Sequence, residues 1–266
     1  MTALQADDPG RPNRRFRTIR TITALMMREM ATTYGRSPGG YLWAFLEPAG
    51  AVAILTLMFS FAFPVPPMGK SFALFYATGY LPFTLFNDMS RKVSAAIKFS
   101  RPLLTYPAVT YVDALLARFV LTLLTHIVVG MIIIGIGWLL FEPTAHPDVL
   151  KILFAFLITG LIGFGVGVFN CYVMTDFPVW ERAWWVLTRP LFMISGIFFT
   201  FDNLPPLGQD ILWYNPLIHA VGLTRGGFYV TYDDSYVSLL YVCTVSAVLS
   251  LVGMLLVRLR YRDFLE

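Results

Sequence analysis

Charged residues are scarce in this sequence. Only 14% of the 266 residues are Asp, Glu, Lys or Arg, whereas a soluble domain carries about 25%. Hydrophobic residues make up 57% of the chain. So few charges argue against a large soluble core and predict a protein that crosses a membrane several times.

Cysteine and histidine are also rare. The two cysteines, Cys171 and Cys243, lie inside apolar runs, and no metal-ligand spacing is present. No His–Asp–Ser set or carboxylate pair falls in an apolar run, so we expect no catalytic residue, no metal site and no cofactor. The polar segment Met1–Asn13 contains no apolar core of a signal peptide.

A complete nucleotide-binding loop is missing. Gly69-Lys70-Ser71 has the ending of a phosphate-binding loop, but Pro64 occupies the position of its first glycine. Nucleic-acid binding is not expected either, because the net charge of +4 comes from residues that flank apolar runs.

Six apolar runs are long enough to span a membrane, since a span needs about 20 residues. They cover residues 42–63, 72–90, 111–140, 149–174, 183–201 and 236–257. We therefore predict an all-α polytopic protein with one transmembrane domain over 1–266 and a six-span bundle over 42–257.

The basic residues predict the orientation. Fifteen of the twenty lie before the first run, after the second, after the fourth or after the sixth, all on one side of a six-span chain. Because Lys and Arg accumulate in cytoplasmic loops, both termini, with tails 1–14 and 258–266, are expected in the cytoplasm.

Residues 15–33 show the pattern of an amphipathic helix. Apolar side chains recur every three or four residues, and most arginines fall off their stripe; the stripe consists of Phe16, Ile19, Ile22, Met26 and Met30. This pattern predicts a helix that lies on the cytoplasmic membrane surface. The Gly- and Pro-rich stretch 34–41 then ends it.

Residues 202–231 predict a re-entrant helical hairpin between the fifth and sixth spans. A full crossing there would place the basic C-terminal tail outside. Asn215-Pro216 marks a break, and His219 and Arg225 need protein or water around them. The alternative is a helix that lies on the outer surface.

Three smaller patterns concern packing. Thr110 and Asp113 form a predicted capping box, and His126 is interpreted as a polar residue that faces the bundle. Gly163 and Gly167 allow close helix packing, either between two copies or within one chain.

Aromatic residues make up 16% of the chain. Many of them suit membrane interfaces and lipid contact. Rings in mid-span with few formal charges also suit a path for a large neutral or weakly charged polymer. Apolar ring faces can stack on the C–H faces of sugars, but a stripe of rings alone does not identify a sugar. The candidate residues for this path and its outer gate are Trp184, Trp185, Phe192, Phe199, Trp213, Tyr214, Asn215, Pro216 and His219.

Several motifs resemble the membrane subunits of ABC transporters that export capsular polysaccharide, and more loosely the O-antigen exporters. They occur in the family's order along nearly the whole chain: Tyr34-Gly35-Arg36, Gly40-Tyr41-Leu42-Trp43, Leu46-Glu47-Pro48, Tyr106-Pro107, Arg189-Pro190-Leu191, Ile194-Ser195-Gly196 and Asn215-Pro216-Leu217. A second proline that usually follows Tyr106-Pro107 is absent.

The resemblance implies a homodimer in the bacterial inner membrane that works with two copies of a cytoplasmic ATPase, which binds ATP and Mg. It implies a lipid-linked polysaccharide substrate, and periplasmic adaptor and outer-membrane export proteins as further partners. The cytoplasmic loops would dock the ATPase through Arg101, Pro102, Leu103, Leu104, Tyr106, Pro107, Phe177 and Pro178.

Two other functions stay open. An integral membrane enzyme of lipid-linked sugar metabolism would need a carboxylate or histidine cluster at a membrane face. An ion-coupled secondary transporter would need buried acids within its spans.

Overall fold

The computed structural model describes residues 17–33, 39–104 and 109–260, and within these ranges the chain is helical without a β-strand. The α-helices are α1 (Arg17–Thr33), α2 (Gly40–Ala62), α3 (Phe72–Ser94), α4 (Ala96–Leu104), α5 (Tyr111–Phe141), α6 (Val149–Asp176), α7 (Pro178–Ile194), α8 (Pro206–Leu212), α9 (Pro216–Phe228) and α10 (Leu239–Arg260). A short 3-10 helix covers Phe201–Asn203. The all-α prediction is confirmed for the described residues.

The long helices α2, α3, α5, α6, α7 and α10 lie at the six predicted runs. Within the described residues, four of them, α2, α5, α6 and α10, are long and apolar enough to cross a membrane. Helix α3 has the polar residues Asn87, Asp88, Arg91 and Lys92 in its second half, and α7 is 17 residues long. The count of six crossings stays a prediction.

Helix α6 is the centre of the bundle. It packs against α3, α5, α9 and α10. In its most apolar window 67% of the residues are buried, against 11% for α2. The apolar outer surface of α2 is therefore left for lipid or for another protein.

Glycines bring α6 into backbone contact with its neighbours. A Cβ atom at Gly163 would lie 2.7 Å from the Cβ of Met89, and one at Gly167 would lie 2.7 Å from the Cβ of Val93. On the opposite face, a Cβ at Gly165 would lie 2.7 Å from the backbone oxygen of Ser246. The small residues at 163 and 167 therefore serve packing within this chain, between α6 and α3.

The bundle has two distinct ends. At one, called the α4 end, α4 packs against the ends of α6 and α10 through Ile97, Cys171 and Val257. At the other, called the hairpin end, the carboxylate of Glu142 accepts hydrogen bonds from the backbone N–H groups of Lys70 (2.7 Å) and Ser71 (3.1 Å). This second contact joins the end of α5 to the start of α3.

The start of α5 has the predicted capping box. The Thr110 hydroxyl accepts from the Asp113 N–H at 3.2 Å, and the Asp113 carboxylate accepts from the Thr110 N–H at 2.9 Å. This prediction is confirmed. The two bonds satisfy N–H groups that a helix start would otherwise leave unpaired.

The N-terminal helix occupies most of its predicted range. Helix α1 runs over Arg17–Thr33, while residues 1–16 and 34–38 lie outside the described residues. Gly39 has a φ angle of +92°, a left-handed conformation that favours glycine, and it directly precedes α2. The position of α1 at a membrane surface stays a prediction.

Residues 201–238 also lie at the hairpin end of the bundle. Helices α8 and α9 are separated at residues 213–215, next to the predicted break, and the side-chain oxygen of Asn215 accepts from the Leu217 N–H at 3.0 Å. Most of α9 is buried by protein. That surrounding is the one in which a helix ending at membrane depth is tolerated, although its depth stays a prediction.

Candidate translocation groove and coupling surface

A groove of about 520 Å³ lies between α3 and α7. Its lining combines aromatic rings with polar groups: Phe83, Asn87, Trp185, Thr188, Arg189, Phe192, Met193 and Phe198. No residue of α7 is buried in the described chain. The groove is therefore an open surface of this one chain rather than an enclosed cavity.

Arg189 is the cation of the groove. Its guanidinium carbon lies 3.9 Å from the centroid of the Trp185 ring, so the two side chains stack along α7. Within the described residues, no carboxylate forms an ion pair with Arg189. The Thr188 hydroxyl donates to the backbone oxygen of Trp185 at 2.9 Å and keeps its own lone pairs as acceptors.

Aromatic rings support the groove on its α3 side. The Phe192 ring lies 5.1 Å from Phe83, 5.2 Å from Phe198 and 6.1 Å from Tyr80, all close to edge-on. These packed rings fix the position of Phe192. Of the predicted path residues, Trp185 and Phe192 thus line one groove, while the half-buried Trp184 packs beside Trp180 at 6.4 Å.

Arg225 holds the segment after α7 against α9. This side chain is 1% exposed. It donates to the backbone oxygens of Phe199 at 2.6 Å and Ile197 at 3.0 Å, and its guanidinium lies 4.2 Å from the Phe75 ring centroid. Phe199, a predicted path residue, is thus held through its backbone oxygen and does not line the groove.

Gly79 and Gly196 make this arrangement possible. A Cβ at Gly79 would lie 3.1 Å from the Arg225 guanidinium, so a larger residue would crowd it. Gly196 has a φ angle of +80° and lets the chain turn directly after α7. The turn brings the two carbonyl groups to Arg225.

His219 is fixed in its neutral form at the hairpin end. Its Nδ1 accepts from the Ser238 N–H at 3.3 Å, so Nε2 carries the proton and donates to the Trp213 backbone oxygen at 2.8 Å. The Trp213 indole donates to the Tyr236 backbone oxygen at 3.1 Å. This network holds α8, α9 and the start of α10 together.

The remaining outer-gate candidates lie around that network. Tyr214 is exposed and its backbone oxygen accepts from the Tyr241 hydroxyl at 2.7 Å. The Asn215 amide donates to the Ile194 backbone oxygen at 3.2 Å, which joins α7 to α9, and Pro216 begins α9. The structure thus groups residues 213–216 with His219, and places them apart from the α3–α7 groove lining.

The loop after α9 carries ionised groups. Asp234 forms an ion pair with Lys151 at 2.6 Å. The Ser235 N–H donates to the Asp233 carboxylate at 2.9 Å and lowers the pKa of Asp233 below its ordinary value. The hairpin end therefore presents charged groups to its surroundings.

A buried ion pair joins α1 to the α4 end of the bundle. The Glu29 carboxylate lies 3.4 Å from the Arg118 guanidinium of α5, with both side chains buried. Arg118 also donates to the Lys92 backbone oxygen at the end of α3 and lies 4.6 Å from the Phe99 ring centroid of α4. Arg28 approaches the same ring at 5.6 Å.

The predicted coupling residues gather at this end where they are described. Arg101 and Pro102 are exposed on α4, Leu103 is half-buried, and Leu104 is buried in the cluster with Ile97, Cys171 and Val257. Phe177 is exposed next to Pro178, the first residue of α7. Tyr106 and Pro107 lie outside the described residues.

A second polar contact lies nearby between α3 and α5. His126 approaches the Asp88 carboxylate at 3.4 Å with Nε2 and the Thr122 backbone oxygen at 3.1 Å with Nδ1. Arg91 pairs with the same carboxylate at 2.9 Å. The prediction that His126 is a polar residue facing the bundle is confirmed.

Sequence reasoning assigned no structural role to Glu29, Phe99 or Asn87. Glu29 falls off the apolar stripe of α1, and nothing in the sequence pairs it with Arg118. Arg189 left a clearer signal, because a cation within an apolar run requires a polar environment.

Comparison with known proteins identifies the family of this chain. Residues 20–229 match the family of ABC-2 type transporter membrane proteins. The chain is 30% identical over 240 residues to the polysialic acid transport protein KpsM of Escherichia coli, covering 90% of this chain and 93% of that protein.

Two further relatives have similar names. The chain is 30% identical over 246 residues to the capsule polysaccharide export inner-membrane protein CtrC of Neisseria meningitidis, and 29% identical over 243 residues to BexB of Haemophilus influenzae. Each alignment covers 90% of both proteins. This chain therefore belongs to the ABC-2 type transporter membrane family.

Proposed function

We propose that this chain is the membrane subunit of an ATP-driven exporter that moves a lipid-linked capsular polysaccharide from the cytoplasm to the periplasm across the bacterial inner membrane. The observation that carries the proposal is the near full-length similarity to capsule exporters, in a helical chain with an open aromatic and polar groove. The groove supplies rings for sugar faces and polar groups for hydroxyls.

The open side of the groove favours a homodimer. Helix α7 exposes large apolar side chains such as Trp185, Leu187 and Met193. A second copy placed against this face would close the groove into a channel that shields a polymer from lipid. Two chains and two ATPases then form the exporter.

The ATPase is proposed to dock at the α4 end. Helix α4 exposes Lys98 and Arg101, and Phe177 is 63% exposed at the junction of α6 and α7. Phe177 directly precedes the helix that lines the groove. A displacement of Phe177 by the ATPase would therefore move the first turn of α7 directly.

Helix α1 and the outer hairpin complete the proposed topology. Helix α1 would lie on the cytoplasmic surface beside the ATPase, with both termini in the cytoplasm, and residues 202–231 would cap the periplasmic exit. The polymer would pass on to periplasmic adaptor and outer-membrane proteins.

Phe177 offers the sharpest test of ATPase coupling. Phe177→Ser in the exporter complex should leave ATP hydrolysis active and reduce polysaccharide export several-fold. Phe63→Ser is the matched control, because Phe63 is 53% exposed and ends a helix, as Phe177 does, but lies next to the loop between α2 and α3 at the hairpin end. Unchanged export with Phe177→Ser, or equal losses from both variants, would contradict the assignment.

Co-purification tests the complex itself. The chain should retain a cytoplasmic ABC ATPase at a 2:2 ratio. Failure to retain an ATPase would favour the two rivals.

Ion-coupled transport is the rival with a specific observation behind it, the Asp88–His126 contact. Asp88→Asn should leave ATP-driven export largely intact in the proposed exporter. Export that stops in this variant and depends on a proton gradient would instead support secondary transport.

A further inference from the structure

Across the described ranges of the chain, the cation of the α3–α7 groove has no role in the contacts that hold the fold together. Arg189 lies twelve residues into the 17-residue helix α7 and stacks on Trp185, and within the described residues it pairs with no carboxylate. Arg118, by contrast, is matched by Glu29, and the buried Arg225 is held by two backbone oxygens. Arg189 is the arginine whose charge faces an open groove.

We infer that Arg189 binds the acidic groups of the transported polymer, so that the groove is specific for an anionic polysaccharide. This inference rests on the proposed function. It assigns to Arg189 the role of a specificity-determining residue that reads carboxylate or phosphate groups on successive repeat units.

The energy of the stack explains why the charge needs an anion or water. With α7 as the predicted fifth span, Arg189 carries a positive charge into the membrane, which is costly. A cation–π contact offsets only part of that cost. Stacking on Trp185 therefore does not offset the full cost of placing the Arg189 charge in the membrane. The groove has to supply a further partner for that charge.

The neighbouring groups suit a sugar acid. The Asn87 amide makes no side-chain hydrogen bond to any residue in the described part of the chain, and Thr188 offers acceptor lone pairs at the next position to Arg189. The volume of about 520 Å³ lies within the ~300–1,000 Å³ typical of small-molecule sites. Trp185 and Phe192 add faces on which sugar C–H groups can pack.

Depth distinguishes the polymer from a lipid headgroup. At about 1.5 Å per residue, Arg189 lies roughly 16 Å along α7 from its first residue. With α7 as the predicted fifth span, beginning at the cytoplasmic boundary of a hydrocarbon core of about 30 Å, this is near the middle and away from the interface where headgroup phosphates reside. An acidic repeat unit passes such a site with every step of export, so we assign the polymer as the occupant.

The test measures binding to the full-length protein in complex with its ATPase, in phosphatidylcholine nanodiscs. The probes are polysialic acid and the same polymer with its carboxylates reduced to alcohols. A charged hydrogen bond contributes about 1.5–3 kcal/mol, so the wild type should bind the acidic form about tenfold or more tightly than the reduced form. High salt should diminish this preference.

Variants of Arg189 assign the preference to this side chain. Arg189→Gln should bind both polymers with the affinity that the wild type has for the reduced form, while Arg189→Lys should keep part of the preference because the charge remains. Arg258→Gln is the control, since it removes an exposed arginine at the end of α10 and should keep the full preference. Binding of both polymers with equal affinity by the wild type, or a preference that survives Arg189→Gln, would overturn the inference.

Two further outcomes separate the alternatives. If phosphatidylglycerol in the nanodiscs competes with the acidic polymer in the wild type but not in Arg189→Gln, the site takes a lipid headgroup and the polymer assignment is wrong. If the wild-type complex binds neither polymer, the polysaccharide path fails along with Arg189. Equal binding of both polymers, in contrast, leaves the exporter intact and removes only the role of Arg189.

Discussion

The contact between Glu29 and Arg118 allows a quantitative test of how α1 is held. Their side chains are 12% and 7% exposed, and the carboxylate lies 3.4 Å from the guanidinium. Within the described residues, Arg118 is the partner of the Glu29 carboxylate. Removing one member of such a pair leaves the other charge buried, which costs about 3–5 kcal/mol.

The two members should differ in what their loss costs. Glu29→Gln removes the negative charge, but Arg118 keeps its hydrogen bond to the Lys92 backbone oxygen and its contact with the Phe99 ring. We therefore expect the free energy of unfolding to fall by about 3 kcal/mol, the lower end of the range. Arg118→Met removes all three contacts and strands Glu29, so a loss of about 5 kcal/mol is expected.

The double variant isolates the pair. Glu29→Leu with Arg118→Met places two apolar side chains of similar length where the charges were, and such replacements of buried pairs are often neutral or stabilising. The double variant should therefore be more stable than Arg118→Met alone. Unfolding by SDS titration in mixed micelles, followed by circular dichroism, measures these three variants, Glu29→Leu alone and the wild type.

Additivity would refute this reasoning. If the losses from Glu29→Leu and Arg118→Met, each measured alone, simply sum in the double variant, the side chains do not interact and the approach of α1 to α5 has another cause. A loss below about 1 kcal/mol for Glu29→Gln would equally show that the pair behaves as a solvent-exposed one.

Two other substitutions test the packing. Gly167→Leu should destabilise the fold by about 1–3 kcal/mol, because its Cβ would overlap Val93. Gly50→Leu is the control and should have little effect, because a Cβ at Gly50 meets open space. Thermal melting in detergent compares the two variants, and equal shifts in melting temperature would contradict the close α3–α6 contact. Arg225→Lys should lower the melting temperature and reduce export, because one ammonium group cannot replace the two guanidinium hydrogen bonds to the Phe199 and Ile197 carbonyls. An unchanged melting temperature would show that the Phe199 carbonyl needs no such partner.

Local patterns predicted the helices well. The apolar runs, the Thr110–Asp113 capping box and the break before Pro216 each depend on neighbours in sequence, and each has its counterpart in the structure. Gly163 and Gly167 show where this reasoning stops. Their spacing indicates a close contact, but only the fold shows that α3 of the same chain provides it.

Long-range polar contacts were outside the reach of sequence patterns. Glu29 and Arg118 are separated by 88 intervening residues, and Arg225 is matched by backbone oxygens that carry no sequence signal. The aromatic candidates were predicted from residue type alone. Residue type does not tell which of them lie in the groove and which lie at the hairpin end. Trp185 and His219 were both predicted as path or gate residues. In the structure Trp185 lines the open groove, whereas His219 lies in a hydrogen-bond network at the hairpin end.

The packing also indicates which helices would move in the proposed exporter. Helix α6 contacts α3 and α10 at the distance of backbone atoms, so these three helices cannot slide past one another without a steric clash. Helix α7 has no buried residue within the described chain and is held near its two ends. The Trp180–Asn170 hydrogen bond of 3.0 Å holds its start, and the packed ring of Phe192 and the carbonyls bound to Arg225 hold its end. We therefore expect ATP-driven motion to rotate α7 about those two attachments against a fixed α3–α6–α10 body. Such a rotation would turn Arg189 and Trp185 past Asn87, because only one wall of the groove belongs to the moving helix.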